Sequence, residues 1–274
     1  MANPADRRIV VDEVGLRYAK IGPVRLRTIH QPLFAVRDAS ISLCGVRAYL
    51  RATSDGAMVA PTEFFASVAP TDRQSTYGLL ARLHMENRLN AGVDDPRELD
   101  CWIGIDNGAG IDAADDQIDI CAEIAGDDVE RTVCELMNCD ALTGMEINRL
   151  ADRAHAHGMR VCIDALGSAN EAARDVGADI VKMRGSTFRN LARVRKAADL
   201  IAIFIEGWRN RDVSVLVEGI ETRSHLVTAL DAGATHVQGF LLGTPKLAGT
   251  IIDDQMRGVI DLLYGDGDLA RLAT

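Results

Sequence analysis

Hydrophobic and polar positions change rhythm about a third of the way along the chain. The runs V-R-L-R-T-I-H-Q-P-L-F-A-V and I-S-L-C-G-V-R-A-Y-L-R-A are β-rich and flank a turn-like R-D-A-S, which predicts an antiparallel pair. P-T-E-F-F-A-S-V follows, with Pro61 placed to start a helix and Thr62 to cap it, and helical spacing then runs from about Thr71 to Leu89. From Leu99 onward short apolar runs alternate with helical segments. The runs are L-D-C-W-I-G-I-D, T-V-C-E-L-M, R-V-C-I-D-A, D-I-V-K-M, S-V-L-V-E-G and T-H-V-Q-G-F. Helical spacing covers Glu146 to His157, Phe188 to Arg209 and Thr222 to Ala232, and N-G-A-G-I-D-A-A-D-D after Asp106 reads as a loop leading into a helix.

Repeated βα units predict a parallel sheet with helices outside it. Six runs and the opening pair make eight strands, the number that closes an α/β barrel, with an open doubly wound sheet as the rival arrangement. The length of 274 residues suits one barrel. The expected division is a lead-in over residues 1–24, a barrel over 25–264 and a tail over 265–274.

Composition narrows the function. A formal net charge of −10 opposes a phosphate backbone, and 4% aromatic residues leave little for base stacking, so a general nucleic-acid binder is not expected. No apolar run reaches the length of a membrane span, the start lacks a signal-peptide core, and the expectation is a soluble, cytoplasmic protein without a membrane role. The six cysteines show no C-x-x-C pair and read as buried, reduced thiols.

In a parallel barrel the functional face lies at the carboxyl ends of the strands. Five runs close there on a polar residue: Glu135, Asp164, Lys182, Glu218 and Gln238. Three carboxylates, a lysine and an amide form a donor set for a divalent cation and a phosphate, or else a ring of ion pairs such as Lys182 with Asp164. His155 and His157 stand two apart on a helix and face different ways. Asp112, Asp115 and Asp116 lack the spacing of a calcium loop.

The segment L-V-E-G-I-E-T, followed by D-A-G-A-T-H-V-Q-G-F-L-L-G-T-P, resembles the closing motifs of the EAL domain family, A-E-G-V-E-T and G-x-x-x-x-Q-G-Y-x-x-x-x-P. G-M-R-V-C-I-D-A-L-G-S resembles G-x-x-x-A-x-D-D-F-G, D-I-V-K-M-R the K-I-D strand, and C-E-L-M-N the E-L-T-E motif. H-Q-P-L-F-A-V resembles Q-P-I-V-D-L, and G-V-R-A-Y-L-R stands where the namesake G-x-E-A-L-x-R falls. The likeness runs from about Ile29 to Pro245. It implies a TIM-like (β/α)8 barrel with an antiparallel first strand, and hydrolysis of cyclic di-GMP by two divalent metals that activate a water.

The resemblance retains Glu135, Asp164, Lys182, Glu218 and Glu221 as catalytic positions, and Gln31, Arg51 and Gln238 as ligand-binding ones. Elsewhere it departs. Arg47 replaces the namesake Glu and Tyr49 its Leu, Gly104 falls at an expected Asn, and Asn138 replaces the bracing Glu of E-L-T-E. Ala165 and Leu166 replace the second Asp and the Phe of D-D-F-G, and Arg184 replaces the Asp of K-I-D. Where the family mouth is strongly acidic, Glu135, Asp164 and Glu218 here face Arg47, Lys182 and Arg184, and the balance is neutral.

The expectation is therefore a degenerate member without catalysis and without a metal cofactor, acting as a cyclic di-GMP receptor or a protein-interaction module. The ligand contacts would include Arg47 and Arg184 as phosphate forks, unless these arginines pair with the acids and close the pocket. A protein partner and a homodimer go with that reading. The alternative is an active phosphodiesterase using Mg2+ or Mn2+ on Glu135, Asp164 and Glu218, aided by Glu221.

Overall fold

The computed structural model describes residues 9–38, 40–164, 176–194, 198–255, 257–259 and 262. The chain opens with strands β1 (Ile9–Val11) and β2 (Arg17–Ile21), followed by β3 (Val24–Arg37), β4 (Ser40–Ser54) and β5 (Ala57–Val59). Helices α1 (Pro61–Ser67) and α2 (Arg73–Glu86) come next. The βα units are β6 (Asp100–Ile105) with α3 (Ile111–Ala125), β7 (Thr132–Leu136) with α4 (Gly144–Ala156), and β8 (Arg160–Asp164). They continue with β9 (Ile180–Met183), α5 (Gly185–Ala192), α6 (Ala198–Arg209), β10 (Ser214–Glu218), α7 (Arg223–Asp231) and β11 (His236–Gln238). Two short strands close the order, β12 (Lys246–Leu247) and β13 (Arg257–Gly258).

Eight strands form a closed circuit, β3-β11-β10-β9-β8-β7-β6-β4, completed by the pairing of β4 with β3. β3 runs antiparallel to both neighbours and the remaining pairs are parallel. The fold is thus the (β/α)8 barrel with an antiparallel first strand. Closure leaves no edge strand among the eight. The long β3–β4 hairpin carries a bulge where Leu33 pairs with Gly45 and Phe34 with Leu43, leaving Cys44 as the extra residue.

Period-2 alternation sorts the strand side chains. Leu33, Trp102, Val133, Cys162, Ile180 and Leu216 fill the barrel, and the outward residues Ile103, Cys134, Val161, Val181 and Val215 pack under the helices. Thr143 starts α4 with a complete capping box to Glu146. Helical spacing over Phe188 to Arg209 resolves into two helices, α5 and α6. Thr62 does not cap α1: Ala60 holds that position without a side-chain bond, and Pro61 is the first helical residue. Within the stretch expected as a lead-in, β1 pairs with β2 and β2 with β3, so the sheet continues beyond the barrel. All six cysteines are free and all but Cys44 are buried. Among the described residues no helix is long and apolar enough to cross a membrane.

Candidate functional site

The carboxyl ends of the parallel strands surround an open cavity of about 470 Å3. Its walls include Gln31 of β3, Tyr49 of β4, Lys182 of β9, Glu218 of β10, Gln238 of β11, Arg184 at the N-cap of α5 and Arg189 in its last turn. Arg47 stands two residues before Tyr49 and so shares its face of β4.

The floor is an ion network. The Arg47 guanidinium donates to Glu135 and to Glu218, and Lys182 donates to Glu135 and lies 3.6 Å from Glu218. Two cations and two carboxylates balance there. The Glu135 side chain is 1% exposed and that of Arg47 7%, so solvent screens the network little. Burial opposes the Arg47 charge, but Glu135, Tyr49 and Glu218 outweigh it and raise its pKa. Burial likewise opposes Lys182, and Glu135 chiefly raises it. Glu135 is driven up by burial and, more strongly, down by Arg47 and Lys182, and stays below its ordinary value. Its Oε2 remains buried without a hydrogen-bond partner.

Asp164 closes β8 beside this network, with Arg184 Nε against its Oδ2. Burial outweighs Lys182 and Arg184 and lifts the Asp164 carboxyl above its ordinary value. The alternative ring of ion pairs takes a different form from the Lys182–Asp164 example, since Lys182 turns to Glu135 and Glu218 while Asp164 meets Arg184. Arg184 also approaches Asp140 at 3.9 Å, and Arg189 pairs with Glu221 at 2.9 Å.

The remaining wall is built from amides and aromatic rings. Gln31 donates to the Gly243 carbonyl at 3.2 Å and Gln238 to the Pro32 carbonyl at 3.4 Å. The Tyr49 hydroxyl donates to Gln238 Oε1 at 3.5 Å, and the Arg47 guanidinium lies 4.9 Å from the Tyr49 ring centre. Burial pushes the Tyr49 phenol up to about 12. Phe240 is 63% exposed at the rim. Gly239 brings two loops together: a Cβ there would stand 2.1 Å from the Ile220 carbonyl oxygen.

The structure therefore brings together Gln31, Arg47, Glu135, Asp164, Lys182, Arg184, Glu218, Glu221 and Gln238. Arg51 is placed differently. It shares the inward face of β4 but does not line the cavity, and its buried Nε has no hydrogen-bond partner. Asn138 adopts φ 51 and accepts from Asn107 through its carbonyl. Ala165 and Leu166 lie outside the described residues. Sequence reasoning missed Arg189, and the available signal was a second arginine following Arg184 by a little over one helical turn. His155 and His157 separate to different carboxylates, Asp179 and Asp119, while Asp112 and Asp115 pair with Arg149. Among the described residues no group of three or more His, Cys, Asp or Glu is arranged to hold a metal ion.

The family model for the EAL domain matches residues 24–245. The chain belongs to the EAL domain family. Solved EAL structures share its fold. Klebsiella pneumoniae BlrP1, in a manganese and cyclic di-GMP complex, superposes with a TM-score of 0.69 at 17% identity, over 94% of this chain and 63% of that one. A standalone EAL protein from Vibrio cholerae O395 in its c-di-GMP bound form gives 0.69 at 16% identity, over 84% and 95%. The Bacillus subtilis YkuI protein, complexed with c-di-GMP and calcium, gives 0.69 at 15%, over 90% and 61%. The chain thus spans less than two thirds of BlrP1 and YkuI and nearly all of the Vibrio protein. No curated protein sequence matches it.

Proposed function

We propose that this EAL-family chain is a cyclic di-GMP receptor that binds the nucleotide without metal, leaves it uncleaved, and passes the signal to a protein partner. The observation that carries this reading is Arg47, held between Glu135 and Glu218 beneath a cavity that stays open. An arginine is charged at any ordinary pH, and its fork occupies carboxylate oxygens that dications would need. At about 4 Å and an effective dielectric near 20, each close charge pair is worth roughly 4 kcal/mol before desolvation, so Arg47, Lys182 and Arg184 together oppose a dication strongly. The residues present do not fit a two-metal site.

They do suit a dianionic nucleotide. Lys182, Arg184 and Arg189 line one wall, where guanidinium forks can meet phosphate oxygens, and Phe240 and Tyr49 offer ring faces to bases. Neighbouring EAL structures hold c-di-GMP, with manganese or calcium in some of them. A second reading rests on one observation: Glu135 Oε2 and Asp164 Oδ1 are buried acceptors without partners, which favours a phosphodiesterase with a shifted metal site on Glu135, Asp164, Glu218 and Glu221.

Calorimetric titration with cyclic di-GMP, first in manganese and then in chelator, separates the two, with chromatography to detect linear product. Equal binding in both buffers and intact nucleotide are expected. Binding and turnover confined to manganese would replace the first reading with the second.

A further inference from the structure

Beyond the barrel, β2, β3 and the far end of β4 form a three-stranded sheet whose two faces differ in kind. One is apolar: Ala19, Leu26 and Ala52 pack with Phe64 of α1 and with Leu80 and Leu83 of α2. The other carries cations. Lys20 of β2 stands directly opposite Arg25 of β3, and Arg27 of β3 stands directly opposite Arg51 of β4. Alternation puts Arg25 and Arg27, two residues apart, on the same face. Like charges placed opposite one another weaken a sheet, and here two such pairs lie side by side.

No acid relieves them. Among the described residues none of these four cations forms an ion pair, and the other strand positions of this face are Tyr18 and Thr53, so the face itself has no carboxylate. Asp12 and Glu13 stand in the β1–β2 connection and Asp55 in the β4–β5 turn, and Asp12 spends its Oδ1 on the Val14 and Leu16 amides. Lys20 is exposed, while Arg25, Arg27 and Arg51 are half-buried, with Arg51 Nε buried without an acceptor. The Arg25 guanidinium lies 4.6 Å from the Tyr18 ring centre, a contact that holds it against the sheet. Half-buried cations give up hydration, and no carboxylate among the described residues replaces it here.

We propose that this face docks an extended acidic segment of the protein partner. The proposal rests on the receptor reading for the existence of that partner and supplies its chemistry. An extended chain presents alternate side chains on one face about every 7 Å, the interval between Arg25 and Arg27 along β3, so alternate carboxylates of such a segment meet both guanidiniums. Half-buried guanidiniums suit a narrow chain rather than a flat bilayer, and the net charge of −10 opposes a long polyanion such as nucleic acid. The face continues into the wall of the nucleotide cavity, from Arg27 through Ile29 to Gln31 on β3 and from Arg51 to Tyr49 on β4. A segment seated on it reaches the rim of that cavity without entering it.

The probe is an alternating Glu-Thr peptide of about ten residues with a neutral dye, titrated without nucleotide by fluorescence anisotropy at low salt. Saturable binding is expected, roughly fivefold tighter than for a peptide of the same composition with its glutamates in one block. Lys20→Glu and Arg25→Glu should each weaken the alternating peptide at least about tenfold and leave cyclic di-GMP affinity unchanged. Lys20→Glu should also raise the urea midpoint, because it turns a like-charged pair with Arg25 into an opposite one, which separates lost docking from lost folding. Arg97→Glu, exposed near the start of β6, should leave peptide binding as it is. Absent peptide binding, equal affinity for the two peptides, or parent-like binding by both Lys20→Glu and Arg25→Glu would overturn the assignment. So would tighter binding of phosphatidylcholine vesicles containing about one third phosphatidylglycerol, or of a thymidine oligonucleotide of the peptide's length. Peptide binding by a chain that does not bind cyclic di-GMP would support the docking face and remove the receptor reading alone.

Discussion

Arg47 on β4 and Glu135 on β7 share a hydrogen bond although β6 runs between their strands. The β6 residue in register with Glu135 is Gly104, so no side chain projects from that position. Arg47→Ala would leave the 1%-exposed Glu135 with Lys182 as its remaining cation. Breaking a buried pair in this way costs about 3–5 kcal/mol. Urea unfolding of the variant should show that loss in its midpoint, with the slope unchanged.

Charge reversal at the same position tests the metal argument. Arg47→Glu places a third carboxylate beside Glu135 and Glu218, with Lys182 as the nearby cation. Calorimetry with Mn2+ should register binding to the variant and none to the parent. Equal binding by both would remove Arg47 as the reason for excluding metal.

Stability should fall on mild acidification. Burial lowers His30 and His236 from 6.5 to about 4 and His84 to about 3. The unfolded chain takes up these protons below about pH 6.5, while the folded chain does so near 4 or lower. Stability from keeping the rings neutral is therefore complete above pH 6.5 and declines as pH drops toward 4. Each unit of separation is worth about 1.4 kcal/mol per ring, so the combined loss amounts to several kcal/mol. Urea midpoints at pH 7 and pH 5 measure it, and His84→Gln should make the decline shallower.

Gly239→Ala should destabilise the loops that carry Gln238 and Glu221. Ile220 N–H bonds the Gln238 carbonyl at 3.1 Å and Leu241 N–H bonds the Ile220 carbonyl at 3.0 Å, across the glycine. The added methyl would overlap main-chain atoms that cannot rotate away. A loss of about 2 kcal/mol or more in thermal or urea unfolding is expected, within the range for overpacking.

Arg184→Gln should weaken cyclic di-GMP binding about tenfold and flatten its dependence on salt, because a guanidinium 41% exposed at the cavity wall meets phosphate partly through a screened field. Titrations at two salt concentrations give both quantities.

Much of the fold was legible because five of the eight barrel strands announce themselves twice, by an apolar run and by the polar residue that ends it. Glu135, Asp164, Lys182, Glu218 and Gln238 stand at successive strand ends, and that pattern alone marks the mouth. Pairing was not legible. Whether Lys182 turns to Asp164 or to Glu135 depends on strand tilt and side-chain reach, which no single-chain spacing encodes. Arg189 was hidden for a related reason: its role comes from Glu221, 32 positions later, being folded back against α5. The break between α5 and α6 was also invisible, since apolar residues continue at helical intervals through it.

β11 is three residues long, with Gln238 on the wall of the nucleotide cavity and His236 on the wall of a second cavity at the opposite mouth of the barrel. Two residues of strand span about 7 Å. The barrel is thus a thin partition here rather than a deep plug, and a displacement of this strand along its own axis moves both chambers at once.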